Sequence, residues 1–99
     1  MMINQKKTEM QDIVIQKIKA LRLKHGISQS SLGVILNISN GQIGNIESPK
    51  YQHKYTLRQI YMFCKHIDYP LERIFLSEEE STCQDVCELL IKRLIEYEG

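Results

Sequence analysis

Residues 28–47 read SQSSLGVILNISNGQIGNIE and predict two short helices joined by a tight turn. Ser28 is a good N-cap, because its hydroxyl accepts hydrogen bonds from the free amides of a first helical turn. Asn37 tolerates the left-handed conformation that ends a helix, and Ser39 can cap the next one. The apolar residues of the first helix recur at helical spacing: Leu32, Ile35 and Leu36. The sequence therefore predicts helices at about residues 28–36 and 39–47.

The outer face of the second predicted helix consists of amides. Burial of Ile43 and Ile46 leaves three such side chains pointing outward: Asn40, Gln42 and Asn45. An amide offers a donor and an acceptor together, so Asn or Gln can pair with the adenine edge in the major groove of DNA. The alternative is that these side chains are simply solvated, as the outer face of a helix usually is.

Two further residues favour the DNA interpretation. Gln29 adds another amide at the start of the first predicted helix. Gly33 lies inside that helix, where glycine costs roughly 1 kcal/mol relative to alanine. Its presence at this position indicates that the backbones of the two helices approach each other closely.

Length and composition predict one small domain with an aliphatic core. The chain has 99 residues, 42% of them hydrophobic, with no Trp and two Phe. No apolar run approaches the roughly 18 residues of a membrane-spanning helix. The polar N-terminus lacks the apolar region of a signal peptide, so we expect a cytoplasmic protein that does not bind or span a membrane.

The net charge of +1 conceals a basic body and an acidic tail. Residues 1–76 hold eleven Lys and Arg against five Asp and Glu, whereas residues 77–99 hold two against seven. A basic body suits a polyanionic partner such as double-stranded DNA, because phosphate contacts supply most non-specific affinity. An ordinary solvated surface is the alternative.

Three cysteines are expected to be reduced thiols. Cys83 and Cys87 lie one helical turn apart, but a zinc site would have to take its other ligands from Cys64, His66 or elsewhere, without a recognisable second pair. We therefore expect no metal and no cofactor, and interpret all three cysteines as small buried apolar side chains.

The segments on either side also predict helices. After a frayed N-terminus over about residues 1–12, a first helix should begin near Gln11 or Asp12 and end at Gly26. Thr56 can cap a fourth helix that ends near Asp68, with an apolar stripe of Leu57, Ile60, Tyr61, Phe63, Cys64 and Ile67. A short fifth helix over residues 70–75 should bury Leu71, Ile74 and Phe75.

The loop over residues 48–56 combines cations with aromatic hydroxyls. It carries Lys50, His53 and Lys54 together with Tyr51 and Tyr55. Lysine and tyrosine side chains are common donors to phosphate, so the loop is a candidate for contact with a DNA backbone. The alternative is a mobile surface connection.

Residues 77–99 predict an acidic linker of low order and a last helix. Thr82 and Asp85 resemble a capping box, and one side of the helix is apolar: Cys83, Val86, Cys87, Leu90, Ile91 and Leu94. An isolated helix of this length is marginal in water. It can fold back onto the body or pair with its copy in a second chain, and both alternatives stay open.

Two segments together resemble the phage-repressor family of helix-turn-helix proteins, which includes Cro and the lambda repressor. They are IVIQKIKALRLKHGISQSSLGVILNISNGQIGNIESPK and TLRQIYMFCKHIDYPLERIF, and the resemblance covers about residues 13–76. It implies an all-α, five-helix lambda-repressor-like domain, here with an additional C-terminal helix. It also implies that the third helix is the recognition helix in the major groove while the second crosses the phosphate backbone.

The resemblance assigns roles to individual residues. The positions that contact bases or phosphates in the family are here Gln29, Ser39, Asn40, Gln42, Asn45, Lys50 and Lys54. Arg22 and Glu47 match a structural ion pair that joins the first helix to the end of the third. The chain departs from the family by Gly41 and Gly44, which are unusual within a recognition helix. A longer, more aromatic loop after the third helix is a further departure.

We therefore expect a sequence-specific DNA-binding transcriptional regulator, a repressor that acts as a homodimer on a two-fold operator. The alternative is an antitoxin-like or adaptor protein in which residues 77–99 bind a protein partner. An enzyme is not expected, because His25, His53 and His66 show no catalytic or metal-binding spacing and the GQIG sequence lies inside a predicted helix.

Overall fold

The computed structural model describes residues 7–99, and this part of the chain is all-α, as predicted. The elements are α1 (Glu9–Lys24), α2 (Gln29–Leu36), α3 (Asn40–Glu47), α4 (Leu57–Ile67), α5 (Glu72–Phe75), a 3₁₀ turn (Glu80–Thr82) and α6 (Val86–Glu98). Among the described helices, none combines the length and apolar character that crossing a bilayer requires.

Helix α1 begins earlier than the sequence predicts. The Thr8 hydroxyl accepts a hydrogen bond from the Gln11 backbone at 3.2 Å, and the Gln11 side chain accepts one from the Thr8 backbone at 3.0 Å. This capping box satisfies free amides of the first turn. The expected fraying is therefore wrong for residues 7–12, while residues 1–6 lie outside the described part.

The boundaries of α2, α3 and α4 follow the predicted caps, whereas α5 begins at Glu72, two residues after the predicted start of a helix over residues 70–75. The hydroxyls of Ser28, Ser39 and Thr56 each accept a hydrogen bond from the backbone amide three residues later. Asn37 and Asp68 end α2 and α4 in the left-handed conformation, with φ of 59° and 55°. Because these caps depend on neighbouring residues, the sequence locates them well.

The core is mainly aliphatic and lies between helices α1 to α5, the loop before α4 and the last turn of α6. It contains Val14, Ile15, Ile18, Leu32, Leu36, Ile43, Ile46, Tyr55, Ile60, Phe63, Cys64, Ile74, Phe75 and Tyr97. Gly33 is buried where α2 meets α3, and a Cβ there would lie 2.6 Å from the backbone oxygen of Ile38. The close approach predicted from this glycine is therefore confirmed.

Three residues expected in the apolar stripes are instead substantially exposed. Leu57, Tyr61 and Leu71 expose 38%, 51% and 39% of their surface. They lie at the edges of their stripes, whereas the neighbouring Ile60, Phe63 and Ile74 lie at the centres and are buried. A sequence stripe marks the buried side of a helix but not where its contact with the core stops.

Helix α6 folds back onto the body, which was one of the two alternatives for the last helix. Tyr97 is fully buried, and its hydroxyl donates to the Tyr55 carbonyl oxygen at 2.6 Å. Its ring meets Phe75 edge-on at 5.8 Å, and the Gln11 side chain donates to the Tyr97 carbonyl at 2.7 Å. The C-terminal turn of α6 is therefore part of the core.

The start of the tail differs from its prediction. Asp85 precedes α6 without a side-chain cap, so the capping box expected between Thr82 and Asp85 is wrong. The box lies instead between Ser77 and Glu80, whose side chains exchange hydrogen bonds with each other's backbone amides at 2.9 and 3.1 Å. Glu80 also binds Arg93 of α6 at 2.6 Å. The linker expected to have low order is therefore anchored at both ends.

The cysteines do not share one environment. Cys64 is buried, and burial raises the pKa of its thiol to about 11. Cys83 and Cys87 are exposed, so the expectation that they are buried is wrong. Within residues 7–99, no three His, Cys, Asp or Glu side chains come together as a metal site.

Candidate nucleic-acid interface

A buried ion pair holds α3 against the rest of the body. The Arg22 guanidinium donates to both carboxylate oxygens of Glu47, from Nε at 2.9 Å and from Nη2 at 3.0 Å. The two side chains are only 6% and 4% exposed. Arg22 also donates to the Ile27 carbonyl at 2.9 Å. The predicted pair is thus formed, and it fixes the end of α3 to α1 and to the turn before α2.

Gln29 joins this ion pair instead of standing free at the surface. Its amide nitrogen donates to Oε1 of Glu47 at 2.9 Å, and the residue is half-buried. The bond orients Gln29 at the first position of α2, beside the end of α3. A contact between Gln29 and DNA stays a prediction, and one of its donors is already committed to Glu47.

The outer face of α3, defined here as residues 39–42 with Gly44 and Asn45, is uncharged. Its inner residues Ile43, Ile46 and Glu47 are buried. Ser39, Asn40, Gly41 and Gln42 are exposed, and Gly44 and Asn45 are half-buried. The predicted outward direction agrees with the exposure of Asn40 and Gln42, whereas Asn45 is half-buried.

Two residues of this face also hold the helix together. The Ser39 hydroxyl accepts from the Gln42 backbone at 3.1 Å, and the Gln42 side-chain oxygen accepts from the Ser39 backbone at 3.0 Å. The capping box occupies the oxygen of Gln42 but leaves its two amide N–H donors outward. Asn40 and Asn45 have no side-chain hydrogen bond within the described chain, so both amides are available to a ligand.

The two glycines of α3 are not required by packing. A Cβ at Gly41 would meet only the Ser39 hydroxyl, at 3.9 Å, and a Cβ at Gly44 would meet nothing within 4 Å. Gly33 of α2 is the opposite case, since its Cβ would collide with backbone. Gly41 and Gly44 therefore leave bare backbone at the surface of α3, in a helix that is formed in spite of both.

An open groove runs between α2 and α3. It is lined by uncharged residues only: Ser30, Gly33, Val34, Asn37, Ile38, Ser39, Asn40 and Gln42. Val34 is 82% exposed, the most exposed of the large apolar side chains in the described residues. The sequence interpretation missed Val34, although the signal was present: it lies off the stripe formed by Leu32 and Leu36.

The loop after α3 presents part of the predicted cationic set. Lys50, Tyr51 and His53 are exposed, and Lys54 is half-buried. Tyr55 is 1% exposed, so the interpretation of this tyrosine as a phosphate-contacting side chain is wrong. Burial raises the pKa of Tyr55, and its carbonyl oxygen is the acceptor for Tyr97.

The N-terminal segment holds this loop. The Lys7 ammonium donates to the Ser48 carbonyl at 2.7 Å and also to the Tyr51 carbonyl. Partial burial lowers the pKa of Lys7. The loop is thus attached to the segment that precedes α1, and the exposed Lys50 and His53 lie on an anchored backbone.

Charge is distributed unevenly along the chain. Residues 13–67 contain eight Lys and Arg but a single acidic residue, Glu47. That carboxylate is buried and neutralised by Arg22. Helices α2 and α3 and the loop after them therefore expose no carboxylate, while Lys50 and Arg58 are exposed on the chain that follows α3. Such a surface suits a polyanion.

Comparisons of the chain with protein-family models, with curated proteins and with solved structures find no match. The candidate interface is therefore defined by this chain's own residues: the outer face of α3, the groove beside it and the loop that follows.

Proposed function

We propose that this protein is a sequence-specific DNA-binding transcriptional regulator with a lambda-repressor-like helix-turn-helix domain, which acts as a homodimer and represses by occupying its operator. The observation that carries the proposal is the combination on one segment of outward amides, exposed cations and no exposed carboxylate. Amides supply base-edge recognition in the major groove, and cations supply attraction to phosphate.

Within this proposal the residues divide by chemistry. Asn40 and Asn45 read base edges with free amides, and Gln42 does so with the donors that its capping role leaves outward. Val34, exposed in the adjacent groove, meets a thymine methyl or a sugar, because such contacts need an apolar side chain.

The remaining contacts position the protein on the duplex. Lys50 and Lys54 bind phosphates, which fixes the register without reading sequence. Ser39, at the N-terminus of α3, and Gln29, at the N-terminus of α2, lie where free backbone amides also favour a phosphate. The bare backbone at Gly41 and Gly44 allows α3 a closer approach than a helix with side chains there.

A selection from random duplexes with the purified protein tests the proposal. We expect enrichment of a palindrome whose half-sites are separated by about 34 to 36 Å, one turn of the double helix. Absence of any enriched sequence at low salt, where phosphate attraction is strongest, would overturn the assignment.

A matched pair of variants separates base reading from helix capping. Gln42 and Gln59 close equivalent capping boxes, at 3.0 Å in α3 and 2.9 Å in α4. We expect Gln42→Ala to weaken binding to the selected site by about 1 to 3 kcal/mol with little change on a scrambled duplex. Gln59→Ala should lose a similar cap without loss of affinity. Equal losses for both variants would assign Gln42 a structural role alone.

A second candidate function is a protein-binding module of the antitoxin or adaptor kind. One observation favours it: the acidic tail exposes two isoleucines, Ile91 at 57% and Ile95 at 65%. Deletion of residues 77–99 is a poor test, because it would remove Tyr97 from the core. Ile91→Lys and Ile95→Lys leave Tyr97 in place, so they are the better test. A loss of DNA affinity in these variants would assign the tail to assembly of the DNA-binding form, and unchanged DNA affinity would favour a protein partner.

A further inference from the structure

Helices α2 and α3 carry almost no side chain that ionises. Residues 26–46 span the turn before α2, all of α2 and all of α3 except its last residue, and they contain no Asp, Glu, Lys, Arg, His, Cys or Tyr. The last residue, Glu47, is buried against Arg22. The exposed Lys50 lies on the loop that follows. Any base that α2 and α3 read is therefore read by neutral groups.

Neutral groups restrict which bases can be recognised. Guanine is most often bound by Arg or Lys at O6 and N7, and cytosine donates from N4 to a carboxylate. The outer face of α3 has neither kind of side chain. The amides of Asn40 and Asn45 each offer a donor and an acceptor, which match N7 and N6 of adenine. Guanine presents two acceptors at those places, so the amide oxygen would face a second oxygen. Both asparagines therefore favour adenine.

Gln42 and Val34 restrict the choice further. The Gln42 oxygen accepts from the Ser39 backbone at 3.0 Å, so its amide offers only donors to a ligand. Donors fit the acceptors of adenine, guanine or thymine, and they reject the amino group of cytosine. Val34 is 82% exposed and lines the same groove as Asn40 and Gln42. Its apolar side chain fits the methyl group of thymine.

We propose that the operator places A·T pairs against the groove between α2 and α3, with adenine at Asn40 and a thymine methyl at Val34. This choice of bases rests on the proposed function and names what the same surface reads. Specificity is carried by uncharged contacts, whereas the cations of the loop contribute affinity for any sequence. The ratio of affinities for the selected and scrambled duplexes should therefore stay constant between about pH 5 and pH 8, although His53 titrates in that range.

A preference for A·T pairs has a second physical source, which the test must separate from base reading. A·T tracts have a narrow minor groove that attracts cations, and a protein can select them by shape alone. A pair of inosine with cytosine distinguishes the two sources. It presents the major-groove groups of G·C, but it lacks the guanine N2 amino group and so has a minor groove like that of A·T.

Titration of the full chain with substituted duplexes tests the proposal. Each A·T pair of the selected half-site is replaced in turn by G·C, by inosine·cytosine and by adenine·uracil, and affinity is measured by fluorescence anisotropy at one salt concentration. At the pairs read by the groove, inosine·cytosine should weaken binding as much as G·C does, by about tenfold to a hundredfold. Uracil removes only the thymine methyl, and should weaken binding about fourfold at the pair that meets Val34.

Three variants assign these losses to residues. Val34→Ala should bind the thymine duplex less tightly and should no longer respond to uracil. Asn40→Ala should lose the preference for A·T over G·C at one pair of each half-site. Leu23→Ala is the matched control, since Leu23 is a 60% exposed apolar side chain on α1, and it should keep both responses. Thermal unfolding checks that each variant retains its fold.

The outcomes separate this proposal from the proposed function. A selected palindrome with G·C pairs at the positions read by the groove would overturn the choice of bases and leave sequence-specific binding intact. Inosine·cytosine pairs that bind as tightly as A·T would do the same, because recognition would then come from the minor groove or from shape. Absence of any enriched sequence would overturn the proposed function, and the choice of bases with it.

Discussion

Helices α3 and α6 both bury their inner sides in the same core, but their solvent-facing sides differ in chemistry. The α3 face has amides, a hydroxyl and bare backbone, and no charge. The solvent-facing side of α6 has two exposed isoleucines, Ile91 and Ile95, with the exposed charged residues Glu88, Lys92 and Glu96 beside them. Packing constrains the residues of the inner sides, so the residues of the outer sides are the ones that indicate function.

The two faces are also held by different ion pairs. Arg22 and Glu47, which position α3, are 6% and 4% exposed, whereas Arg93 and Glu80, which position α6, are 23% and 31% exposed. A buried charge left without its partner is far more costly than an exposed one. The position of α3 should therefore be the more sensitive to loss of a single charge.

Glu47→Ala should have the largest effect on stability. It leaves Arg22 buried without its carboxylate and Gln29 without its acceptor, so we expect the free energy of unfolding to fall by about 3 to 5 kcal/mol. Urea unfolding measures it. Glu78→Ala is the control, since Glu78 is 84% exposed and lies 3.9 Å from Arg73. That change should stay within about 0.5 kcal/mol. Similar losses for the two variants would contradict the difference between buried and exposed pairs.

The glycines of α2 and α3 should give changes of opposite sign in the free energy of unfolding. Gly33→Ala forces a Cβ against the Ile38 backbone, and should lower the free energy of unfolding by about 1 to 3 kcal/mol. Gly44→Ala adds a Cβ into open space, and should raise it by up to about 1 kcal/mol through helix propensity.

The same Gly44→Ala variant tests whether the α3 face approaches DNA closely. If bare backbone there approaches DNA, the more stable protein should bind the selected site less tightly, as titration with a labelled duplex would show. Gains in both stability and affinity would exclude close approach at Gly44.

The smallest effect is expected at Glu80 and should depend on pH. The hydrogen bonds from Arg93 lower the pKa of Glu80 to about 2 from an ordinary value of 4.5. Because the pKa of Glu80 is lower in the folded protein, its ionised carboxylate stabilises the fold at pH values above about 4.5. This contribution is lost as the pH falls from about 4.5 towards 2. Wild type should thus be more stable than Glu80→Gln at neutral pH, with a difference that shrinks over that range. A difference that does not change with pH would contradict the ionised pair.

Local chemistry explains which parts of the fold were predictable. The caps at Ser28, Ser39 and Thr56 depend on hydrogen bonds within one turn, so the sequence locates them. The left-handed end at Asn37 was predictable because asparagine tolerates that conformation, whereas for α4 the sequence predicts an end near Asp68 but not its left-handed conformation. The Arg22 to Glu47 pair required the family resemblance, because no local pattern joins residues 25 positions apart.

The contacts that were not predicted are those between distant segments. Tyr97 donates to the Tyr55 carbonyl across 42 positions, and Tyr55 itself, which loop composition favoured as exposed, is buried. Gln29 reaches Glu47 across 18 positions. Helical periodicity shows which side of an element is buried, but not which segment covers it.

The most direct measurement of the central claim compares two α3-region variants on two duplexes. Asn45→Ala should weaken binding to the selected site by about 1 to 3 kcal/mol and leave a scrambled duplex nearly unchanged, because a free amide reads bases. Lys50→Ala should weaken both duplexes and lower the salt dependence by about one phosphate contact. Equal losses for Asn45→Ala on the selected and scrambled duplexes would contradict base reading by the α3 face.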